Sequence, residues 1–254
     1  MAATKRGGPT GPFELSIVFL VLGALLASWR WKENVAQVEN NSTSNNNQTT
    51  TIRDAAEKVL QDPNIALVGM VQSLFEAAMY IFVLQWPPVI SAALSSAYGS
   101  TAAVPYGTIF SCFMASCLAG STVFSKLTAL KVRNEKSSFM MLLMSTVAMA
   151  VASTAARGTA GLGALVASFF VFEAAVGFYF PSIGTLRSRY LPDSHRSVIM
   201  NLFGIPLNAL VVTVFLSIHK LGVSGALQVA TGALAIATAC MFQLARTTSS
   251  PKNA

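Results

Sequence analysis

The chain reads as an all-α membrane protein with about seven transmembrane helices, and three observations predict this. Charged residues make up only 11% of the 254 residues, where soluble domains carry about 25%. Hydrophobic residues make up 53%, and the mean hydropathy is +0.57. Apolar runs recur along the chain, each near the roughly 20 residues that cross about 30 Å of hydrocarbon as a helix. They are Phe13–Trp29, Asn64–Trp86, Val104–Ser125, Ser138–Ala155, Gly161–Leu186, Val198–Ile218 and Val223–Leu244.

The first run follows Lys5 and Arg6, a pattern shared with secretory signals. Arg30, Trp31 and Lys32 come directly after it with no clear small-residue cleavage site, so a retained span with a short external N-terminus is expected over residues 1–33. Residues 34–51 are polar and of low complexity, centred on Asn45–Asn46–Asn47–Gln48. They cannot bury apolar area and are expected to form a disordered linker. Glycosylation-type triplets begin at Asn40, Asn41 and Asn47. Thr51 through Asp62 is predicted as a short amphipathic helix with Ile52, Ala55, Ala56, Val59 and Leu60 on one side, suited to lying along a membrane surface. The expected organisation is therefore a linker over 34–63, a six-helix bundle over 64–246 and a tail over 247–254.

The second run contains a carboxylate. Gln72, Glu76 and Tyr80 recur every fourth residue and share one helix face. A charge at this depth costs a few kcal/mol on insertion scales, so the stripe should face protein, water or a substrate path. The third run carries small-residue ridges, Ser111–Ala115–Ala119 and Ser116–Gly120, suited to close helix packing. The loop Lys126–Lys136 is short and basic. The fifth run holds a second carboxylate, Glu173, which either lies on a transport path or bonds a neighbouring helix. Pro181 should kink that helix, and Arg187 and Arg189 at its end read as topology anchors and loop salt-bridge partners. In the sixth run Asn201 and Asn208 flank Gly204 on one face. Their amides can donate to an anion or join helix to helix, and the sequence leaves both open.

Alternate loops differ sharply in charge. One side holds 13 of the 17 Lys and Arg residues and the other holds 4, namely Lys5, Arg6, Arg157 and Lys220. The positive-inside rule then predicts an external N-terminus and a cytoplasmic linker and C-terminus. This asymmetry explains the net charge of +7 without nucleic acid. Cys112, Cys117 and Cys240 lack paired spacing and are expected to be small buried residues, with no metal site. His195 and His219 sit at span ends, and no HExxH, GxSxG or P-loop pattern occurs. Neither an enzyme nor a cofactor is expected.

Several blocks carry a family resemblance over residues 12 to 244: Trp31–Lys32–Glu33–Asn34, Gly69 through Glu76 and on to Trp86–Pro87, Gly107 through Ser111, Gly177 through Ser182 with Leu186–Arg187, and Asn201 through Asn208. In these the chain resembles the molybdate-anion transporter family of the major facilitator superfamily. The resemblance implies a twelve-helix transporter, of which this chain matches the sixth span, the cytoplasmic central linker and the C-terminal six-helix half. It therefore implies a partner: the missing N-terminal six-helix half. It also implies a small oxyanion substrate, molybdate, bound at the midplane and moved by alternating access in the plasma membrane.

Gln72, Tyr80, Asn201 and Asn208 are the expected substrate contacts. Ionised Glu76 and Glu173 would repel an anion; their expected roles on the pathway are to carry a coupled proton or hold a cation from a neighbouring helix. Related sequences tend to carry Arg where Gly204 stands, and an intramembrane Arg between two Asn would be a natural oxyanion ligand. Two alternatives stand beside transport. One is a non-transporting truncated remnant. The other is a seven-helix receptor or scaffold, which fits the span count but lacks Asp-Arg-Tyr and Asn-Pro-x-x-Tyr motifs and a retinal-binding Lys in the last span.

Overall fold

The computed structural model describes residues 11–31, 52–99, 104–158 and 161–248. The predicted linker with Asn40, Asn41 and Asn47 lies outside them, as does the tail from 249. The chain divides into two compact units, Met1–Asn47 and Gln48–Ala254. The first contains α1 (Gly11–Arg30), a helix with exposed apolar side chains such as Phe13, Leu20 and Trp29.

The second unit contains α2 (Ile52–Gln61), α3 (Pro63–Tyr98), α4 (Tyr106–Ala129), α5 (Asn134–Ala155), α6 (Leu162–Tyr190), a 3-10 turn at Asp193–His195, α7 (Arg196–Leu216) and α8 (Ile218–Thr247). All seven predicted spans are helices long and apolar enough to cross a membrane. α3 packs on α8, α7 and α6; α5 packs on α8 and α6; and α4 lies against α6. Rings fill the centre. Phe82 meets Phe169 edge-on at 5.0 Å and Trp86 meets Phe113 at 5.2 Å, which joins α3, α4 and α6.

α3 begins at Asp62, whose Oδ1 accepts the Asn64 N–H at 2.9 Å, followed by Pro63 in the first turn. It does not stop at Trp86 as the sequence suggests, but continues through Pro87 and Pro88 to Tyr98. The ring φ of proline is compatible with helix. Val89 and Ile90 beyond the prolines are buried at 3% and 2% exposure, and that packing holds the continuation in place.

α4 and α6 touch backbone to backbone. A Cβ at Gly120 would fall on the Ala174 carbonyl, and one at Gly177 on the Cys117 carbonyl. Of the two small-residue ridges, the one ending at Gly120 is the packed one; Ser111, Ala115 and Ala119 are exposed. Cys112 is likewise exposed, and Cys117 and Cys240 are only partly buried, which corrects the expectation of three buried thiols. α2 does not simply lie on a surface: Ala55 is fully buried and Val59 packs on the core, while Ile52 and Leu60 on its flanks are exposed. In α8, Gly222 sits at φ +65° and kinks the helix, so the straight segment begins where the sequence places the span start, at Val223.

The antiparallel order gathers charge at one end. Thr247 Oγ1 donates to Asn64 Oδ1 at 3.4 Å, and Arg189 meets Glu135 at 2.7 Å, so the ends of α3, α5, α6 and α8 converge there. Among the described basic residues of this unit, only Arg157 and Lys220 belong to the opposite end.

Candidate functional site

Gln72 and Glu76 on α3 face Tyr179 and Arg187 on α6. Arg187 Nε donates to Gln72 Oε1 at 2.9 Å, and its Nη2 donates to Glu76 Oε1 at 3.2 Å. The same Glu76 oxygen accepts the Tyr179 hydroxyl at 2.9 Å. Phe75 stacks on the Tyr179 ring with centroids 4.1 Å apart, which clamps the phenol in place. Gln72 and Tyr179 are buried, while the side chains of Glu76 and Arg187 keep 18% and 20% exposure. The outcome is a cation held in an apolar bundle by an amide and a carboxylate, with part of each charged side chain still exposed.

The other expected site residues do not join this cluster. Tyr80, one turn along α3, is 47% exposed and makes no hydrogen bond among the described residues. Glu173 is buried on the α4 side of α6, one turn before Gly177, and forms no hydrogen bond or ion pair among the described residues. Asn201 and Asn208 are exposed on α7. Asn208 Nδ2 donates to the Gly204 carbonyl of its own helix at 2.8 Å. A Cβ at Gly204 would find only that Asn208 nitrogen within 4 Å, at 3.8 Å, so the position has room for a side chain. α7 instead meets α3 through Ser73 Oγ, which donates to the Phe203 carbonyl at 2.7 Å, and through the Phe203 ring over Gly69.

Arg187 is the residue whose place the sequence reading misses. It reads as a span-end anchor, yet its side chain turns back into the stripe. Its spacing of eight from Tyr179 puts both on one helix face, and that was the available signal. Arg189 points elsewhere. Its Nη1 donates at 2.7 Å to Glu135, a fully buried carboxylate at the start of α5 that the sequence reading does not single out. Tyr190 donates to the same oxygen at 2.9 Å and lies 3.1 Å from Thr248 Oγ1 beyond α8. Arg133 Nε lies 3.6 Å from the other Glu135 oxygen.

An antiparallel bundle of long apolar helices with an arginine and a carboxylate inside is the build of a polytopic membrane protein with a polar site in its core. A family model described as sugar transporters with 12 transmembrane segments matches residues 1–176. The molybdate-anion transporter of Xenopus tropicalis is 30% identical over 220 residues, covering 84% of this chain and 44% of the relative. That of Danio rerio is 29% identical over 241 residues, covering 84% and 46%. No solved structure matches the chain. The chain belongs to the molybdate-anion transporter family of the major facilitator superfamily. It spans under half the length of these curated relatives.

Proposed function

We propose that this chain forms one wall of an oxyanion transporter, with molybdate as its substrate, and that Arg187 is the anion-binding group. The observation that carries this reading is the Arg187 guanidinium, held by Gln72 and Glu76 and one-fifth exposed. A guanidinium matches a tetrahedral oxyanion through paired, charge-assisted hydrogen bonds, and one inside the bundle answers the lack of Arg at position 204. The Glu76 carboxylate occupies part of Arg187 as an internal stand-in for the substrate. When an oxyanion takes the guanidinium, Glu76 would be left as an unpaired charge in a low-dielectric site, and taking up a proton relieves that cost. Proton and anion then enter together. Tyr179, which donates to Glu76 from α6, holds the carboxylate in place through the exchange.

In this reading the basic end of the bundle is cytoplasmic, the membrane is the plasma membrane, and a second six-helix half supplies the opposite wall. Asn201, Asn208 and Tyr80, exposed on α7 and α3, are surfaces for that half or for the substrate path. Glu173 serves α4–α6 packing. The test is labelled molybdate uptake into liposomes containing this chain, with and without a matching N-terminal half. Saturable uptake is expected only with both halves. Robust uptake by the chain alone as a monomer overturns the two-wall reading, and no uptake by the pair overturns the substrate.

A further inference from the structure

We propose that the pocket where α2, the start of α3 and the end of α6 meet is a binding site for a phosphate group, carried on an anionic lipid headgroup or free in solution. The cavity measures about 580 Å³, and Lys58, Arg189 and His195 stand on its walls. Nitrogen donors outnumber the acids that could satisfy them. Lys58 forms no ion pair among the described residues. Arg189 gives Nη1 to Glu135, but its side chain is 55% exposed, which leaves guanidinium donors for a ligand. His195 is held by a 2.7 Å contact between its Nδ1 and Ser194 Oγ. The lining acid, Asp62, has one carboxylate oxygen engaged by the Asn64 N–H at 2.9 Å. Asp193, beside the pocket, pairs with Arg196.

Such a donor set suits a doubly charged phosphate monoester through charge-assisted hydrogen bonds. Basic pockets between helices at the cytoplasmic membrane face take anionic headgroups on the same physics. The apolar surroundings fit a lipid. Leu60, two residues from Lys58, is 85% exposed, and Ile52 on the same helix is 67% exposed, while Ala55 and Val59 anchor α2 to the bundle. The site is separate from the stripe. Arg187 and Arg189 are two residues apart, about 200° around the helix, and engage Glu76 and Glu135 respectively.

The test is native mass spectrometry of the full chain in detergent with phosphatidic acid, phosphatidylcholine or inorganic phosphate, together with thermal unfolding. Wild type should bind phosphatidic acid at least about tenfold more tightly than phosphatidylcholine. Lys58→Gln with His195→Gln should remove that preference, whereas Lys220→Gln at the opposite end of the bundle should keep it. Inorganic phosphate that raises the unfolding temperature as much as phosphatidic acid does, and loses this effect in the double variant, assigns the site to free phosphate. The proposal is overturned if the double variant, unfolding like wild type in phosphatidylcholine, keeps the preference, or if wild type shows no preference and no phosphate effect.

Discussion

Two arginines two residues apart on α6 make ion pairs of opposite character. Arg189 is 55% exposed and its partner Glu135 is fully buried. Arg187 and Glu76 are both about one-fifth exposed, at 20% and 18%. The first pair hides its anion behind donors from several directions: Arg189, Tyr190 and Arg133 around Glu135, with Thr248 against Tyr190. It joins the ends of α5, α6 and α8, as a staple would. The second pair shares one carboxylate oxygen between Arg187 and Tyr179 and keeps access to the outside. A charge shut away on all sides can only hold structure; one left partly open can exchange partners.

The comparison predicts its largest effect from an asymmetry within the staple. Arg189→Gln takes the nearest cation from a fully buried carboxylate, leaving it Tyr190 and the more distant Arg133, and should cost about 3 kcal/mol, since a buried charge then loses most of its compensation. Glu135→Gln should cost less, about 1–2 kcal/mol, because the cation it chiefly releases, Arg189, is 55% exposed and water can solvate it. Thermal unfolding in detergent checks the order. Equal losses from the two variants would show that Glu135 is not shut away.

At the stripe the effects should fall on transport instead. In the two-half protein, Arg187→Gln should lower uptake at least about tenfold, equivalent to roughly 1.4 kcal/mol, with a loss of stability of about 1–2 kcal/mol, less than for Arg189→Gln because Glu76 keeps Tyr179 and partial exposure. A variant that unfolds like Arg189→Gln but still transports would reverse the roles assigned to the two arginines.

These two clusters mark what the sequence could and could not show. The spans were legible because hydropathy and length alone define them. The Gln72–Glu76 face was legible because a period near four is local. Arg187 was hidden because a position near a helix end suggests an anchor, whereas a helical Cα–Cβ bond leans toward the helix N-terminus; here the side chain reaches Gln72 and Glu76 on α3. Glu135 was hidden for a related reason. An acid in the first turn, beside Arg133, already satisfies the helix dipole, so nothing local signals partners 54 and 55 residues away. On α7 the Asn201–Asn208 face was readable, but not whether it packs, since a membrane helix is apolar all round.

Smaller in stability but sharper in meaning is Glu76→Gln. It keeps the shape and an oxygen for Tyr179 and Arg187 while removing the titratable charge. In the two-half protein it should insert normally, bind oxyanion, and lose both concentrative uptake and its pH dependence. Uptake that stays pH-dependent in a well-expressed Glu76→Gln protein would reduce the stripe to packing.

The smallest expected effect is that of Tyr179→Phe. The phenol ring, buried at 1% exposure and stacked on Phe75, keeps its packing in this variant, so only the hydrogen bond to Glu76 is lost, a change of about 1 kcal/mol. Because Glu76 retains Arg187, the carboxylate stays paired and the helix should fold as before. In the two-half protein uptake should survive, no more than about fivefold below wild type. A loss of uptake as large as that of Arg187→Gln, in a variant that unfolds like wild type, would instead place the Tyr179 hydroxyl among the groups that carry the exchange.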